Sequence, residues 1–74
     1  MASLPSVSGE RAVRAFRTAG WVKDRQRGSH VILIKPGNPA SLSVPQHSEL
    51  APGTLRSLIR ASGMSVAQFV DLLR

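Results

Sequence analysis

Apolar residues recur every three or four positions near both ends of the chain, which is the spacing of amphipathic helices. Near the start, Ser8 is placed to cap a first helix, Glu10 suits its first turn, and Gly20 is placed to end it. The apolar face of this predicted helix comprises Ala12, Val13, Phe16 and Ala19. One side of the helix is therefore predicted to face a core and the other to face solvent.

The last third of the chain shows the same spacing twice. The first occurrence predicts a helix from about Pro52 to Ser62, with Gly63 as its C-terminal stop. A Ser-x-x-Gln capping box, from Ser65 to Gln68, then predicts a third, shorter helix. The apolar faces comprise Leu55, Leu58 and Ile59 in the second helix, and Val66, Phe69, Val70 and Leu73 in the third.

Between these helices the pattern changes to the two-residue period of a β-strand. In the stretch WVKDRQR, the cations Lys23, Arg25 and Arg27 share one parity. The stretch therefore predicts a strand with one cationic face. The Gly-Ser pair at 28–29 follows directly and predicts a two-residue hairpin turn.

Two more strands are predicted after this turn. Residues 30–35 begin with a histidine and continue with an apolar run, and residues 40–44 alternate apolar residues with serine. The sequence PGNP at 36–39 predicts the turn between them, and Pro45 ends the third strand. The order of helix, three antiparallel strands, helix and short helix predicts a two-layer α+β fold with one sheet face open.

The length of 74 residues predicts a single domain, with residues 1–7 as a lead-in and residues 8–73 as the folded core. The chain has no cysteine, and its histidines and acidic residues have no metal-ligand spacing, so neither disulfides nor a metal site are expected. It has no apolar run long enough for a membrane span and no secretory signal pattern, so a cytoplasmic location is expected.

The charge of the chain indicates the chemical class of its partner. Ten Lys and Arg residues face four Asp and Glu residues, giving a formal net charge of +6, and eight of the ten cations are arginine. Because a guanidinium binds two phosphate oxygens at once, an arginine-rich surface favours nucleic acid or another polyanion as partner. The alternative is an ordinary basic surface.

His30 is the candidate for chemistry, because it opens a predicted strand directly after a cationic strand and a tight turn. An imidazole exchanges protons near neutral pH, and metal-independent RNA cleavage needs such a group to take the proton of a 2′-hydroxyl. The candidate phosphate-binding residues beside it are Lys23, Arg25, Arg27, Gly28 and Ser29. The alternative is a polar residue that ends a strand and has no catalytic role.

Other polar residues are weaker candidates for catalysis or RNA contact. His47 lies in a proline-rich loop and is a candidate second acid or substrate contact, or an exposed loop residue. Arg56 and Arg60 form an i, i+4 cationic pair, either a further RNA contact or a solvated helix face. The same two readings apply to the cations of the first helix, Arg11, Arg14 and Arg17.

The segment LIRASGMSVAQFVDLL also has the outline of a helix-turn-helix motif. Its second helix would have to enter the major groove of DNA, yet its outward residues include few groups suited to bases or phosphates. Packing of both helices on a sheet is therefore favoured over DNA readout.

Two long stretches, SGERAVRAFRTAGWVKDRQRGSHVILIKP and VPQHSELAPGTLRSLIRASGMSVAQFVDLL, resemble the HicA family of mRNA-interferase toxins. The resemblance covers about residues 8–73, and its markers are a Gly-Trp pair before a basic strand, R-Q-R-G-S-H, V-P-x-H and G-T-L-R-x-L. It implies a double-stranded-RNA-binding-domain-like fold and a ribonuclease that cleaves mRNA, with His30 as the catalytic residue.

The resemblance also implies a HicB-like antitoxin, usually acidic, as partner, and no metal or organic cofactor. Many members have a second histidine directly after the catalytic one, where this chain has Val31. The identity of the general acid is therefore left open, and the candidates are His47 and the arginines. The alternative function is a non-catalytic double-stranded-RNA-binding module, which would share the fold and the charge without needing His30.

Overall fold

Three helices and three strands make up the computed structural model, which describes residues 3–74. Met1 and Ala2, at the beginning of the predicted lead-in, lie outside the described residues. In chain order the elements are α1 (Gly9–Thr18), β1 (Val22–Arg27), β2 (His30–Lys35), β3 (Asn38–Pro45), α2 (Pro52–Ser62) and α3 (Val66–Leu72). This order confirms the predicted α+β fold with a short C-terminal helix.

The helix ends lie where local chemistry predicts them. The Ser8 hydroxyl accepts a hydrogen bond from the backbone N–H of Arg11 at 3.1 Å, which caps α1. Helix α2 ends at Gly63, whose φ of 82° is in the left-handed region that favours glycine. Helix α3 begins with the predicted reciprocal capping box between Ser65 and Gln68.

The sheet is antiparallel with the strand order β1-β2-β3. Val31 pairs with Val44 and Leu33 with Leu42, and all four side chains are buried beneath the helices. The intervening residues of β2 therefore lie on the opposite face, which none of the helices α1, α2 and α3 covers. We call this second surface the open face.

Strand β3 is longer than predicted, spanning Asn38–Pro45, because the turn before it contains only Pro36 and Gly37. Pro39, which the sequence pattern predicts in the turn, lies inside the strand. An edge strand tolerates proline because the N–H that proline lacks is not needed on the unpaired side. The predicted strand therefore begins two residues too late, at Ala40, whereas the predicted end at Pro45 is confirmed.

A continuous cluster of apolar side chains joins the helices to the covered face of the sheet. Its largest members are Trp21, Phe16 and Phe69, and the rings of Phe16 and Phe69 are 5.0 Å apart between centroids. Val7 also belongs to the cluster, and its carbonyl accepts a hydrogen bond from the backbone N–H of Leu50 at 2.8 Å. No helix within residues 3–74 is long and apolar enough to cross a membrane.

Gly9 lies where the start of α1 meets the end of β3, and it has no room for a side chain. A Cβ at this position would overlap the carbonyl oxygen of Pro45 and lie 2.9 Å from the Cα of Gln46. Because both neighbours are backbone atoms, we expect Gly9→Ala to lower the free energy of unfolding by about 1–3 kcal/mol.

Chemical denaturation of Gly9→Ala and Gly53→Ala measures this effect with a matched control. A Cβ on Gly53, inside α2, meets no atom within 4 Å, so that variant should be as stable as the parent or slightly more stable. Equal unfolding midpoints for the two variants would show that the junction at Gly9 is not tight.

Candidate active site

His30 and Arg27 stand side by side on the open face. His30 is the first residue of β2 and pairs with Arg27 on one side and Pro45 on the other. Paired residues of antiparallel strands project to the same face of a sheet. The half-buried His30 lines an open cavity of about 360 Å³ together with Arg27, Ile32 and Ser43. The predicted juxtaposition of an imidazole and a guanidinium is thus present in the structure.

The floor of this cavity is apolar. Ile32 lies two residues after His30 on the same face and is only 8% exposed, although it is not part of the core beneath the helices. Further along the open face, Val22 and Ile34 pair with each other and are 52% and 42% exposed. The open face therefore has a polar, cationic end at His30 and an apolar end at Val22.

An irregularity in β1 decides which cations face the cavity. The pairing shifts between Lys23 and Arg25, so Asp24 is an additional residue that interrupts the alternation of the strand. Arg25 consequently pairs with Ile32 on the open face, whereas Lys23 pairs with Leu33, whose side chain is in the core. The prediction that Lys23, Arg25 and Arg27 share a face is wrong for Lys23, because it assumed an unbroken strand.

Hydrogen bonds and ion pairs support this division of the cations. The Lys23 ammonium lies 3.5 Å from the side-chain oxygen of Gln26, the other residue of β1 that faces the helix side. The Arg25 guanidinium pairs with the neighbouring carboxylate of Asp24. Arg27 has no ion pair or side-chain hydrogen bond within residues 3–74, so its five N–H donors are available to a ligand.

The turn at Gly28 and Ser29 is exposed at the same end of the sheet. Gly28 has a φ of 58°, as a tight hairpin turn requires, and its carbonyl accepts a hydrogen bond from the Gln26 side chain at 3.2 Å. The Ser29 carbonyl accepts a hydrogen bond from the backbone N–H of Gln46 at 2.7 Å. These contacts fix the turn beside His30, and they tie it to the loop after β3.

The second histidine is near this end of the sheet but faces another cavity. His47 follows Pro45 by two residues, and its carbonyl accepts a hydrogen bond from the backbone N–H of Gly9 at 2.9 Å. Its side chain lines a cavity of about 470 Å³ with Glu49 and the apolar start of α2, and His30 does not line that cavity. The two histidines therefore line different cavities.

Arg56 and Arg60 lie on the other side of the sheet from His30. Helix α2 packs its apolar residues onto the covered sheet face, and both arginines are exposed on its outer surface. They line a separate cavity of about 230 Å³ with Met64 and Val66. The structure thus groups Arg25, Gly28 and Ser29 with His30 and Arg27, and it leaves the α2 pair apart.

Ser43 is a candidate site residue that the sequence reasoning missed. Its alternation with Leu42 and Val44 places it on the face away from the core, but only the register shows that it pairs with Ile32 beside His30. The cavity thereby contains an imidazole, a guanidinium and a hydroxyl, and no carboxylate of residues 3–74 lines it. Within residues 3–74, no three His, Asp or Glu side chains are placed to hold a metal ion.

Two comparisons with known proteins give a match to this chain. A family profile described as "HicA toxin of bacterial toxin-antitoxin" matches residues 9–64, from the start of α1 to just past the end of α2. Among solved structures, a chain of a "Toxin-Antitoxin complex from Streptococcus pneumoniae" matches with a TM-score of 0.69 and 28% identity, covering 77% of this chain and 97% of that chain. This likeness confirms the double-stranded-RNA-binding-domain-like fold. No curated protein matches the sequence.

Proposed function

The chain belongs to the HicA toxin family of bacterial toxin–antitoxin systems, and from this premise we propose that it is an endoribonuclease that cleaves mRNA without a metal ion. The observation that carries the proposal is the pairing of His30 with Arg27 over a cavity on the open face. A half-buried imidazole beside an unpaired guanidinium supplies a proton-transfer group and a phosphate-binding group at the same place.

In the proposed reaction, His30 takes the proton of a ribose 2′-hydroxyl. The 2′-oxygen then attacks the adjacent phosphorus, and the bond from phosphorus to the 5′-oxygen breaks, leaving a 2′,3′-cyclic phosphate and a 5′-hydroxyl. Arg27 and Arg25 stabilise the negative charge on the phosphoryl oxygens, which is greatest in the transition state. The Ser43 hydroxyl is placed to hold the ribose or the phosphate.

The leaving 5′-oxygen must receive a proton. Arginine remains protonated in proteins and is a poor acid, and the side chain of His47 lines a different cavity. The residue after His30 is Val31, whose side chain is in the core. We therefore propose that water, or the imidazolium formed at His30, supplies this proton.

A HicB-like antitoxin is the proposed protein partner, and the open face is its proposed docking surface. This face presents exposed Val22 and Ile34 next to the arginines of β1, and the whole chain has a net charge of +6. An acidic antitoxin would associate quickly with such a surface, and salt would slow the association. A partner seated there would cover His30 and block access of cytoplasmic mRNA.

Incubation of the purified protein with single-stranded RNA in the presence of a metal chelator tests the enzymatic proposal. Cleavage products that end in a 2′,3′-cyclic phosphate are expected. Stable complexes with intact RNA would contradict the proposal and would favour a non-catalytic RNA-binding module.

Arg27→Ala and Lys23→Ala each remove one positive charge from β1, but only Arg27 faces the cavity. We expect Arg27→Ala to lower kcat/KM for RNA cleavage about 10- to 100-fold, because a hydrogen bond to a charged group contributes about 1.5–3 kcal/mol. Lys23→Ala should remain close to the parent. Equal losses in steady-state cleavage assays would mean that net charge, and not the position of Arg27, controls the activity.

A further inference from the structure

Besides the cavity at Arg56 and Arg60, the helical layer has a cationic cavity between α1 and α3, which we call the second cationic cavity. It does not lie on the open face. Its volume is about 210 Å³. Three guanidinium groups line it, from Arg11, Arg14 and Arg74, and Leu72 and Leu73 form an apolar wall. Because α1 packs its buried residues on the covered sheet face, this cavity and the His30 cavity are on opposite sides of the domain.

Acidic side chains compensate little of the positive charge of the arginine side chains around this cavity. No acidic side chain of residues 3–74 lines it. Glu10 lies 3.9 Å from Arg14 one helical turn away, but both side chains are more than 70% exposed, and exposed pairs of this kind contribute little. Arg11 donates a hydrogen bond to the Leu73 carbonyl at 3.4 Å, which is long, and its other side-chain N–H groups have no hydrogen-bond acceptor among residues 3–74.

We propose that this cavity binds a backbone phosphate of RNA, as a second site outside the cleavage cavity. This inference rests on the proposed function, since the RNA is the proposed substrate. Guanidinium groups bind phosphate oxygens in pairs, and three of them around one cavity suit a single phosphodiester. RNA held at His30 also presents its other phosphates at a high local concentration, so a modest contact here increases the overall affinity.

The helical layer lacks the surface expected for a protein partner. Specific protein interfaces have an apolar centre, and the large exposed apolar residues within residues 3–74 are Val22 and Ile34. Both lie on the open face, on the other side of the sheet. The surroundings of Arg14 therefore favour a polyanion over a second protein surface.

The separation of the two sites makes the second one dependent on RNA length. The shortest dimension of the domain is 20 Å. A stacked trinucleotide spans about 10 Å at roughly 3.4 Å per nucleotide, so it does not extend from one side of the domain to the other. Only a longer RNA reaches from the His30 cavity around the edge of the domain to Arg14.

Cleavage kinetics of the full chain with a trinucleotide and with a long single-stranded RNA test the inference. We expect Arg14→Gln to raise KM for the long RNA about tenfold, as loss of one charge-assisted contact predicts, and to leave kcat/KM for the trinucleotide unchanged. Arg17→Gln is the matched control, because it removes one exposed positive charge from the same helix outside the cavity. It should change KM for the long RNA much less.

Arg74→Gln should act in the same direction as Arg14→Gln, which gives a second variant on a different element. Equal KM values for Arg14→Gln and Arg17→Gln would overturn the inference while leaving the nuclease intact. Failure of the parent protein to cleave either substrate would instead reject the proposed function. If Arg14→Gln weakens only the complex with the antitoxin, the cavity is a protein contact and the inference is wrong.

Discussion

His30→Ala is expected to lower kcat/KM for RNA cleavage by about 10²–10⁴-fold, the usual contribution of a general acid–base group, and to abolish growth arrest on expression. The fold should survive, because His30 is the first residue of β2 on the open face and is not part of the core cluster. Cleavage assays on the purified protein, together with thermal unfolding, measure the two effects separately.

His47→Ala is the control for this experiment, because it removes the other histidine of the chain. Its side chain lines a cavity that His30 does not share, so cleavage should be nearly unchanged. If His30→Ala remained as toxic as the parent at equal expression, the catalytic assignment would fail. If only His47→Ala were inactive, the catalytic residue would be His47, in the loop after β3, and not His30.

Phe69→Ala is expected to lower the free energy of unfolding by about 3–5 kcal/mol, the range for removing a buried phenyl ring. Phe69 is 0% exposed and is the only buried residue of α3, and its ring packs on Phe16 of α1. A folded chain of 74 residues has a total stability of only about 4–11 kcal/mol, so this loss is a large share of the total. Chemical denaturation followed by circular dichroism measures it.

Val70→Ala is the matched control on the same helix, because Val70 is only half-buried. Val70→Ala should lower the free energy of unfolding much less than Phe69→Ala does, since less buried apolar surface is lost and alanine favours the helix. Similar losses for the two variants would show that α3 is not anchored by the Phe69 ring. Detachment of α3 would also remove Arg74 from the second cationic cavity. Phe69→Ala should therefore raise KM for the long RNA, as Arg14→Gln does.

Local sequence determined most of the secondary structure. Helix α2 (Pro52–Ser62) and strand β2 (His30–Lys35) have the predicted bounds, because proline, glycine and capping side chains act within a few residues of themselves. The Gly-Ser turn at 28–29 has only two residues, so the local sequence alone determines that Arg27 of β1 pairs with His30. The pairing of His30 with Arg27 was predictable for that reason. The family profile confirms the resemblance from which the catalytic role of His30 is proposed.

Only the tertiary structure decided which side chains share the cavity. An additional residue in β1 turns Lys23 to the covered face, and the register of β3 brings Ser43 beside Ile32. The loop after β3 directs His47 to a separate cavity. Each of these depends on pairing or packing between residues far apart in the chain, whereas sequence periodicity describes only the conformation within one segment.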